Sequence, residues 1–346
     1  MKLKELIERY MAKVIFALII IIIGISIGSF LLFDQQKNQE EIPTLKIGRL
    51  PITHSLLPII VKEQEKLTKS NLELIEFKSW DDLEEAIVSG EIHGGGSILN
   101  TLSLKMASEG LAFNAVLLAV RDGSGLVIAK DINDVSELKG TKIGIPSIYS
   151  PHNLLLHKYL IDNDLDPNTD VERIVLGPAE MIEKLQQGEI EGFIVAEPFV
   201  SKAEEMNIGK VLILSKDMSI PGSTSNECTI SIRKDFIDKY PEAVEEFVEQ
   251  LVYAGLWVEE NPELAAEIGA KYLNQPKKLI LKSLVEPKGR TKFTDLYPNE
   301  EEYEAYQVYM IKAGIFEESD RVDIDDFIDE RFAMKVYEKV RKEGKR

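Results

Sequence analysis

Gly90-Glu91-Ile92-His93-Gly94 returns 98 positions later as Gly188-Glu189-Ile190-Glu191-Gly192. Each copy closes a helical pattern and opens a run of strand formers. Working outward, Thr44-Leu45-Lys46-Ile47-Gly48 is echoed by Gly140-Thr141-Lys142-Ile143-Gly144. Each of these is followed by a proline-containing loop, a histidine and a leucine-rich helical stretch. Residues 72–77 are echoed by 171–176. Self-similarity at a nearly constant offset is the mark of a repeated structural unit. Short β-branched runs alternate with helical patterns in both copies, which predicts parallel sheets covered by helices. Two α/β lobes of like topology are therefore expected.

In the first copy the pattern predicts strands over 45–50 and 72–77, helices over 55–66 and 80–88, and a further strand from Ile92. Between the copies, 115–120 and 126–129 read as strands around the turn Arg121-Asp122-Gly123-Ser124-Gly125, where a hinge would fit. After the second copy, the turn-rich Pro221-Gly222-Ser223-Thr224-Ser225-Asn226 leads into a returning strand over 228–233. Helices are expected over 241–260, 262–272, 300–314 and 324–341, the charge run 320–329 being a solvated face. The organisation expected is 44–131 as the first part of lobe I, 132–226 as lobe II, and 227–346 as the return to lobe I with C-terminal helices.

Composition narrows the function classes. Of 346 residues, 44% are hydrophobic and 29% charged, as in folded soluble proteins. The 59 acidic against 41 basic residues give a net charge of −18, which repels a phosphate backbone and argues against nucleic acid as a partner. The single cysteine, Cys228, rules out an internal disulfide framework or a multi-cysteine metal site, and it reads as a small buried apolar residue.

Residues 14–33 form an apolar run interrupted only by Gly24, Ser26, Gly28 and Ser29, long enough to span a hydrocarbon core of roughly 30 Å. Lys2, Lys4, Arg9 and Lys13 precede it, and Asp34, Glu40 and Glu41 follow it. The positive-inside bias then predicts a cytoplasmic segment 1–13, a transmembrane anchor or signal segment 14–33, a tether 34–43, and the remainder outside the cytoplasm. Small residues at Ser26-Ile27-Gly28 resemble a signal-peptidase site, but the apolar run continues past them and favours an uncleaved anchor.

In open parallel α/β sheets, ligands bind beyond the carboxyl ends of the strands, where helix N-termini present unpaired N–H groups. Four loops fit that place: Pro51-Ile52-Thr53-His54-Ser55, Gly94-Gly95-Gly96-Ser97, Ser147-Ile148-Tyr149-Ser150-Pro151-His152, and Ala196-Glu197-Pro198-Phe199. Ser150 and Glu197 precede prolines as helix caps do, and Thr53 and Ser97 are also cap-type residues. Gly95 and Gly96, with Gly94, either free backbone N–H groups for an anion or make a turn with special dihedrals. The spacing is neither a P-loop nor a dinucleotide fingerprint. Tyr149 lines the expected cleft, whereas Trp80 and Trp257 read as core. His54, His93 and His152 lie on or beside these loops with Glu197, donor types that suit a zinc-like ion. No local ligand motif ties them, and neither metal nor cofactor is assigned. Glu197 suits a ligand with an amine or N–H donor.

Several of these segments resemble the nitrate/sulfonate/taurine-type substrate-binding proteins of ATP-driven importers, a family that also includes binders of thiamine-precursor pyrimidines. The resemblance rests on Asp122-Gly123-Ser124-Gly125-Leu126-Val127, on 134–140 and 178–188, on Ala196-Glu197-Pro198-Phe199, and on Ile232-Arg233-Lys234-Asp235-Phe236 with Tyr240-Pro241. It runs from about Thr44 to Ala270. It implies a two-lobed, periplasmic-binding-protein-like (type II) fold that captures a small solute by closing about a hinge and presents it to an ABC permease and its ATPase. By that analogy Thr53, His54, Ser97, Ser150 and Glu197 are ligand-binding candidates, joined by Gly95, Gly96, Tyr149 and His152 from the loop reading. The solutes implied are a sulfonate, a taurine-like zwitterion, an oxyanion or a heterocyclic precursor. No combination of nucleophile, base and orienter is legible, so catalysis is not expected. The alternatives are an enzyme on the same two-lobed fold and a membrane-anchored ligand sensor.

Overall fold

The structure, a computed structural model, describes residues 42–224 and 226–344 together with Ile7, Tyr10 and Met11. The expected span 14–33 lies outside the described residues. Among the described residues, no helix is long and apolar enough to cross a membrane. One compact unit, Pro43–Arg346, contains everything that follows.

Eleven strands are described: β1 (Thr44–Arg49), β2 (Asn71–Glu76), β3 (Gly94–Leu99), β4 (Phe113–Asp122), β5 (Ser124–Ala129), β6 (Thr141–Ile145), β7 (Val171–Val175), β8 (Gly192–Ala196), β9 (Gly209–Leu214), β10 (Asn226–Arg233) and β11 (Thr291–Lys292). They form a six-stranded sheet in the order β11-β4-β10-β3-β1-β2 and a five-stranded sheet in the order β7-β6-β8-β5-β9. Each sheet has three parallel strands from one copy of the repeat, followed by antiparallel strands from the connecting segments.

The repeat survives at the level of register. Ile47 and Gly48 of β1 pair with Gly94 and Gly95 of β3, just as Ile143 and Gly144 of β6 pair with Gly192 and Phe193 of β8. The residue before each third strand plays the same part in both sheets. His93 Nδ1 accepts the Lys46 N–H at 3.0 Å, and Glu191 Oε2 accepts the Lys142 N–H at 2.7 Å. His93 also lies against the ring of Phe236, 4.5 Å between centroids. It therefore finishes the amino end of a strand, at the opposite end of β3 from the loop that follows Leu99. The reading that placed it beside a ligand loop is corrected.

The three glycines are corrected as well. Gly94, Gly95 and Gly96 are buried strand, not loop. A Cβ on Gly94 would stand 2.2 Å from the carbonyl oxygen of Ser231 on β10, and one on Gly96 would stand 2.7 Å from Pro58 Cγ. Close approach of neighbouring backbone and side chains is what requires glycine here. The chain crosses between the sheets at Gly123, which links β4 directly to β5, so 124–129 belongs to the second sheet rather than to lobe I. It returns through the segment between Asp217 and β10.

The helices Trp80–Val88 and Pro241–Glu260 stand where the hydrophobic spacing put them. The expected continuous helix over 324–341 is broken into Ile324–Phe327 and Arg331–Lys342. Between them Ile328 bridges Ala115, and the Asp329 N–H donates to the Ala115 carbonyl at 3.0 Å. A backbone pairing at the edge of β4 outweighs local helical preference. The helix Lys277–Val285 and the short β11 were not anticipated.

Candidate functional site

Where the two sheets meet, a set of polar side chains is buried that the apolar core does not explain. Thr53, His54, Ser97, Asn100, Thr101, Ser124, Ser150, His152, Asn153, Glu197, Ser201 and Glu227 are each at most 1% exposed. Burying so many polar groups is costly unless each is hydrogen-bonded. The partners come largely from the other lobe or from the crossing strands.

The loop after β1 becomes a single 3-10 turn, Thr53–Ser55. Thr53 donates from its backbone N–H at 2.8 Å and its hydroxyl at 3.0 Å to the carbonyl oxygen of Glu197, the residue after β8 in the other lobe. The Ser55 hydroxyl donates to the Leu50 carbonyl at 2.8 Å and lies 2.7 Å from the Ser97 hydroxyl. Thr53, Ser97 and Glu197 are thus brought together.

His54 faces the crossing point. Its Nε2 lies 3.0 Å from the Gly123 carbonyl and its Nδ1 lies 3.2 Å from Cys228 Sγ. A carbonyl only accepts, so Nε2 carries the proton and Nδ1 accepts from the thiol. Burial lowers the histidine to about 4, against the opposing pull of Glu227, and burial also pushes the Cys228 thiol up. Gly123 has φ +98°, and a Cβ there would stand 2.7 Å from His54 Nε2. Only glycine allows both the crossing and this hydrogen bond.

Ser150 caps the helix Pro151–Asp162, accepting the Asn153 N–H at 3.0 Å and donating to the Ser147 carbonyl at 2.7 Å. This places His152 in the first turn. His152 Nε2 lies 2.7 Å from the Ser124 hydroxyl and 3.4 Å from Glu227 Oε2, and Ser124 itself donates to Glu227. Burial opposes ionisation of Glu227, but the bond from His152, the charges of both histidines and the Ser124 hydroxyl bring it to about 2. Glu227 is an anion at neutral pH.

Ser124, His152 and Glu227 are the residue types of a serine-hydrolase triad without its geometry. In a triad the acid binds Nδ1, and the serine gives its proton to Nε2. Here acid and serine share the Nε2 side, and the serine proton goes to the acid.

Glu197 is neutralised internally. Its carboxylate accepts the Ser201 N–H at 3.1 Å and the Ser201 hydroxyl at 3.2 Å, and it ion-pairs with Arg290. Burial raises its pKa while Arg290 and Ser201 hold it down. Lys278 and Lys282, from the helix Lys277–Val285, pair with Glu205 and Glu204 beside it, at 2.9 and 3.1 Å. Tyr149 stands apart from this group. Its carbonyl accepts from Thr101, and its ring packs between the Lys105 ammonium and Phe316. Gly95 is held within β3, paired with Gly48 and Ser231.

Ser124, Glu227 and Arg290 escaped the sequence reading, whereas Trp80 is core as expected. Ser124 and Glu227 are 103 positions apart and meet only because β5 and β10 are crossing strands. No local signal marked Glu227, which is one polar residue among several in Asn226-Glu227-Cys228-Thr229-Ile230-Ser231-Ile232-Arg233. Among the described residues, no group of three His, Cys, Asp or Glu side chains is arranged to hold a metal ion.

Two α/β sheets joined by crossing strands, with a belt of buried polar groups where they meet, define a periplasmic-binding-protein-like fold. The model of the NMT1-like family matches residues 38–273, and the chain belongs to that family. It is 25% identical over 218 residues to the nitrate import ATP-binding protein NrtC of Synechocystis, a match covering 57% of this chain and 32% of that protein. It is 30% identical over 206 residues to the taurine-binding periplasmic protein of Escherichia coli, covering 59% and 60%. The chain thus spans about a third of the length of the first relative and three fifths of the second. The ligand-binding component of an ABC-type import system from Staphylococcus aureus, solved with zinc bound, superposes with a TM-score of 0.77 at 26% identity. That match covers 85% of this chain and 99% of the other.

Proposed function

We propose that the chain is an extracytoplasmic solute-binding protein, without catalytic activity, that captures a small polar solute between its lobes and delivers it to an ABC permease and ATPase. The observation that carries this reading is the buried polar belt drawn from both lobes, in a chain that matches the NMT1-like family over residues 38–273. Thr53, His54, Ser97, Ser150, His152 and Glu197 remain the candidate ligand residues, whereas Gly95 and Gly96 lie within β3 and the Tyr149 ring packs against Lys105 and Phe316. Glu197, already neutralised by Arg290 and Ser201, gives no reason for a cationic end on the ligand. The first turns of helices that open onto the cleft favour an anion. An oxyanion-bearing solute follows, of the kind that nitrate, bicarbonate, taurine and short alkanesulfonates represent.

The thermal midpoint of the full chain is expected to rise by several degrees with at least one of these at saturating concentration. A flat response to all four contradicts the ligand class. The apolar run 14–33 supports a single-pass anchor with the main domain outside the cytoplasm. Such an anchor keeps the chain in membranes washed at alkaline pH, and release into the supernatant contradicts it.

A further inference from the structure

The helix Lys277–Val285 lies beyond residue 273, where the family match ends. It is seated on the first lobe. Ile280 is fully buried against the helix Pro262–Leu273, its Cγ2 3.1 Å from where a Cβ on Gly269 would stand. The strand that follows, β11, pairs with β4, and the Thr291 hydroxyl donates to the Ser283 carbonyl at 2.8 Å. The helix Phe199–Glu205 belongs to the second lobe. It comes just after β8, and Val200 packs on β5, 3.2 Å from where a Cβ on Gly125 would stand.

Opposite charges face each other between these two helices. Lys278 pairs with Glu205 at 2.9 Å and Lys282 with Glu204 at 3.1 Å. Arg290 lies 3.8 Å from Glu204 and also pairs with the buried Glu197. Three cations of the first lobe thus meet three carboxylates of the second, and Glu204 is shared between two of the cations. A lone exposed ion pair contributes little, whereas a network of several charges can contribute more. The lobes also touch at the far side of the sheets from the crossing strands. There a Cβ on Gly177, after β7, would stand 3.0 Å from the Lys78 carbonyl oxygen, after β2. The charge network is therefore a property of the state in which the lobes are together.

We infer that Lys278, Lys282 and Arg290 form an ion-paired clasp on Glu204, Glu205 and Glu197 that holds the lobes together and so sets how tightly a solute is bound. Apparent affinity scales with the fraction of molecules in the binding-competent state, so a clasp that raises the closed fraction lowers Kd without touching the solute. The effect on Kd rests on the reading of the chain as a solute-binding protein; the effect on the lobes does not.

The test uses the full chain in detergent. Lys78→Cys and Glu180→Cys put one spin label on each lobe, and the single native cysteine, Cys228, is buried. Pulsed electron resonance of the ligand-free protein is expected to show one short distance between the labels. Lys278→Glu combined with Lys282→Glu turns attraction into repulsion at exposed or half-buried positions and is expected to add a longer distance. Further addition of Glu204→Lys and Glu205→Lys reverses the opposite face and is expected to bring back part of the short distance. Without labels, the double reversal is expected to weaken the best-bound of sodium nitrate, sodium bicarbonate, taurine and ethanesulfonate by about fivefold or more, and the fourfold variant to recover part of that loss. An unchanged distance in the double reversal, or a Kd equal to or below that of the wild type, overturns the clasp. If the wild type binds none of the four, its role in affinity falls with the solute-binding reading, and the label distances alone decide whether the clasp holds the lobes.

Discussion

Arg290→Met is expected to lower the unfolding free energy of the full chain by about 3–5 kcal/mol at pH 7, the usual cost of stranding one member of a buried ion pair. Arg290 is 4% exposed and the Glu197 carboxylate it neutralises is fully buried. The pair also joins two parts of the chain that family similarity does not join, since the family match ends at residue 273. Without the guanidinium, only the Ser201 hydrogen bonds oppose the effect of burial on Glu197, and its pKa rises further. A carboxylate raised in the folded state binds more protons there than in the unfolded chain, so stability falls as pH rises above the ordinary glutamate range. The variant therefore recovers part of its loss on acidification toward pH 4.5. Combining it with Glu197→Gln removes the stranded charge and restores most of the stability. Urea denaturation at pH 7 and pH 5 measures both effects. A loss below about 1 kcal/mol, the scale of an exposed ion pair, contradicts the account of this bridge.

The second large effect is acid sensitivity centred on His54 and Glu227. Burial lowers His54 to about 4. Its unfolded form takes up a proton first as pH falls below the ordinary histidine value, so the stability it contributes above that value is lost between about pH 6.5 and 4. A tenfold change in proton affinity is about 1.4 kcal/mol, which makes this histidine worth about 3 kcal/mol. Glu227, held near 2, contributes stability that is present above the ordinary glutamate range and is lost as pH falls from about 4.5 toward 2. His54→Gln keeps a donor for the Gly123 carbonyl but cannot titrate. Its urea midpoint is expected to fall much less between pH 7 and 4 than that of the wild type. Parallel declines in the two proteins contradict the assignment.

The fold was largely legible because its information is local and doubled. Lys46-Ile47-Gly48 and Lys142-Ile143-Gly144 occupy matching registers in two sheets, so the spacing of one unit checks the other. Misreadings came where distant chain intervenes. Gly94 looks like a turn until β10 is seen crossing it, and Ile328 looks helical until β4 offers it a backbone partner. The site divides in the same way. Thr53, Ser150 and His152 were visible because helix starts have recognisable residue preferences. Glu227 and Arg290 were not, because nothing local marks an acid or a base whose partner lies about a hundred residues away.

The most direct test of the central claim is a calorimetric titration of the full chain with nitrate, bicarbonate, taurine and ethanesulfonate. The account predicts one saturable site per chain for at least one of them, with a negative heat-capacity change from burial of surface as the lobes close. Absence of saturable binding to every one of the four contradicts it.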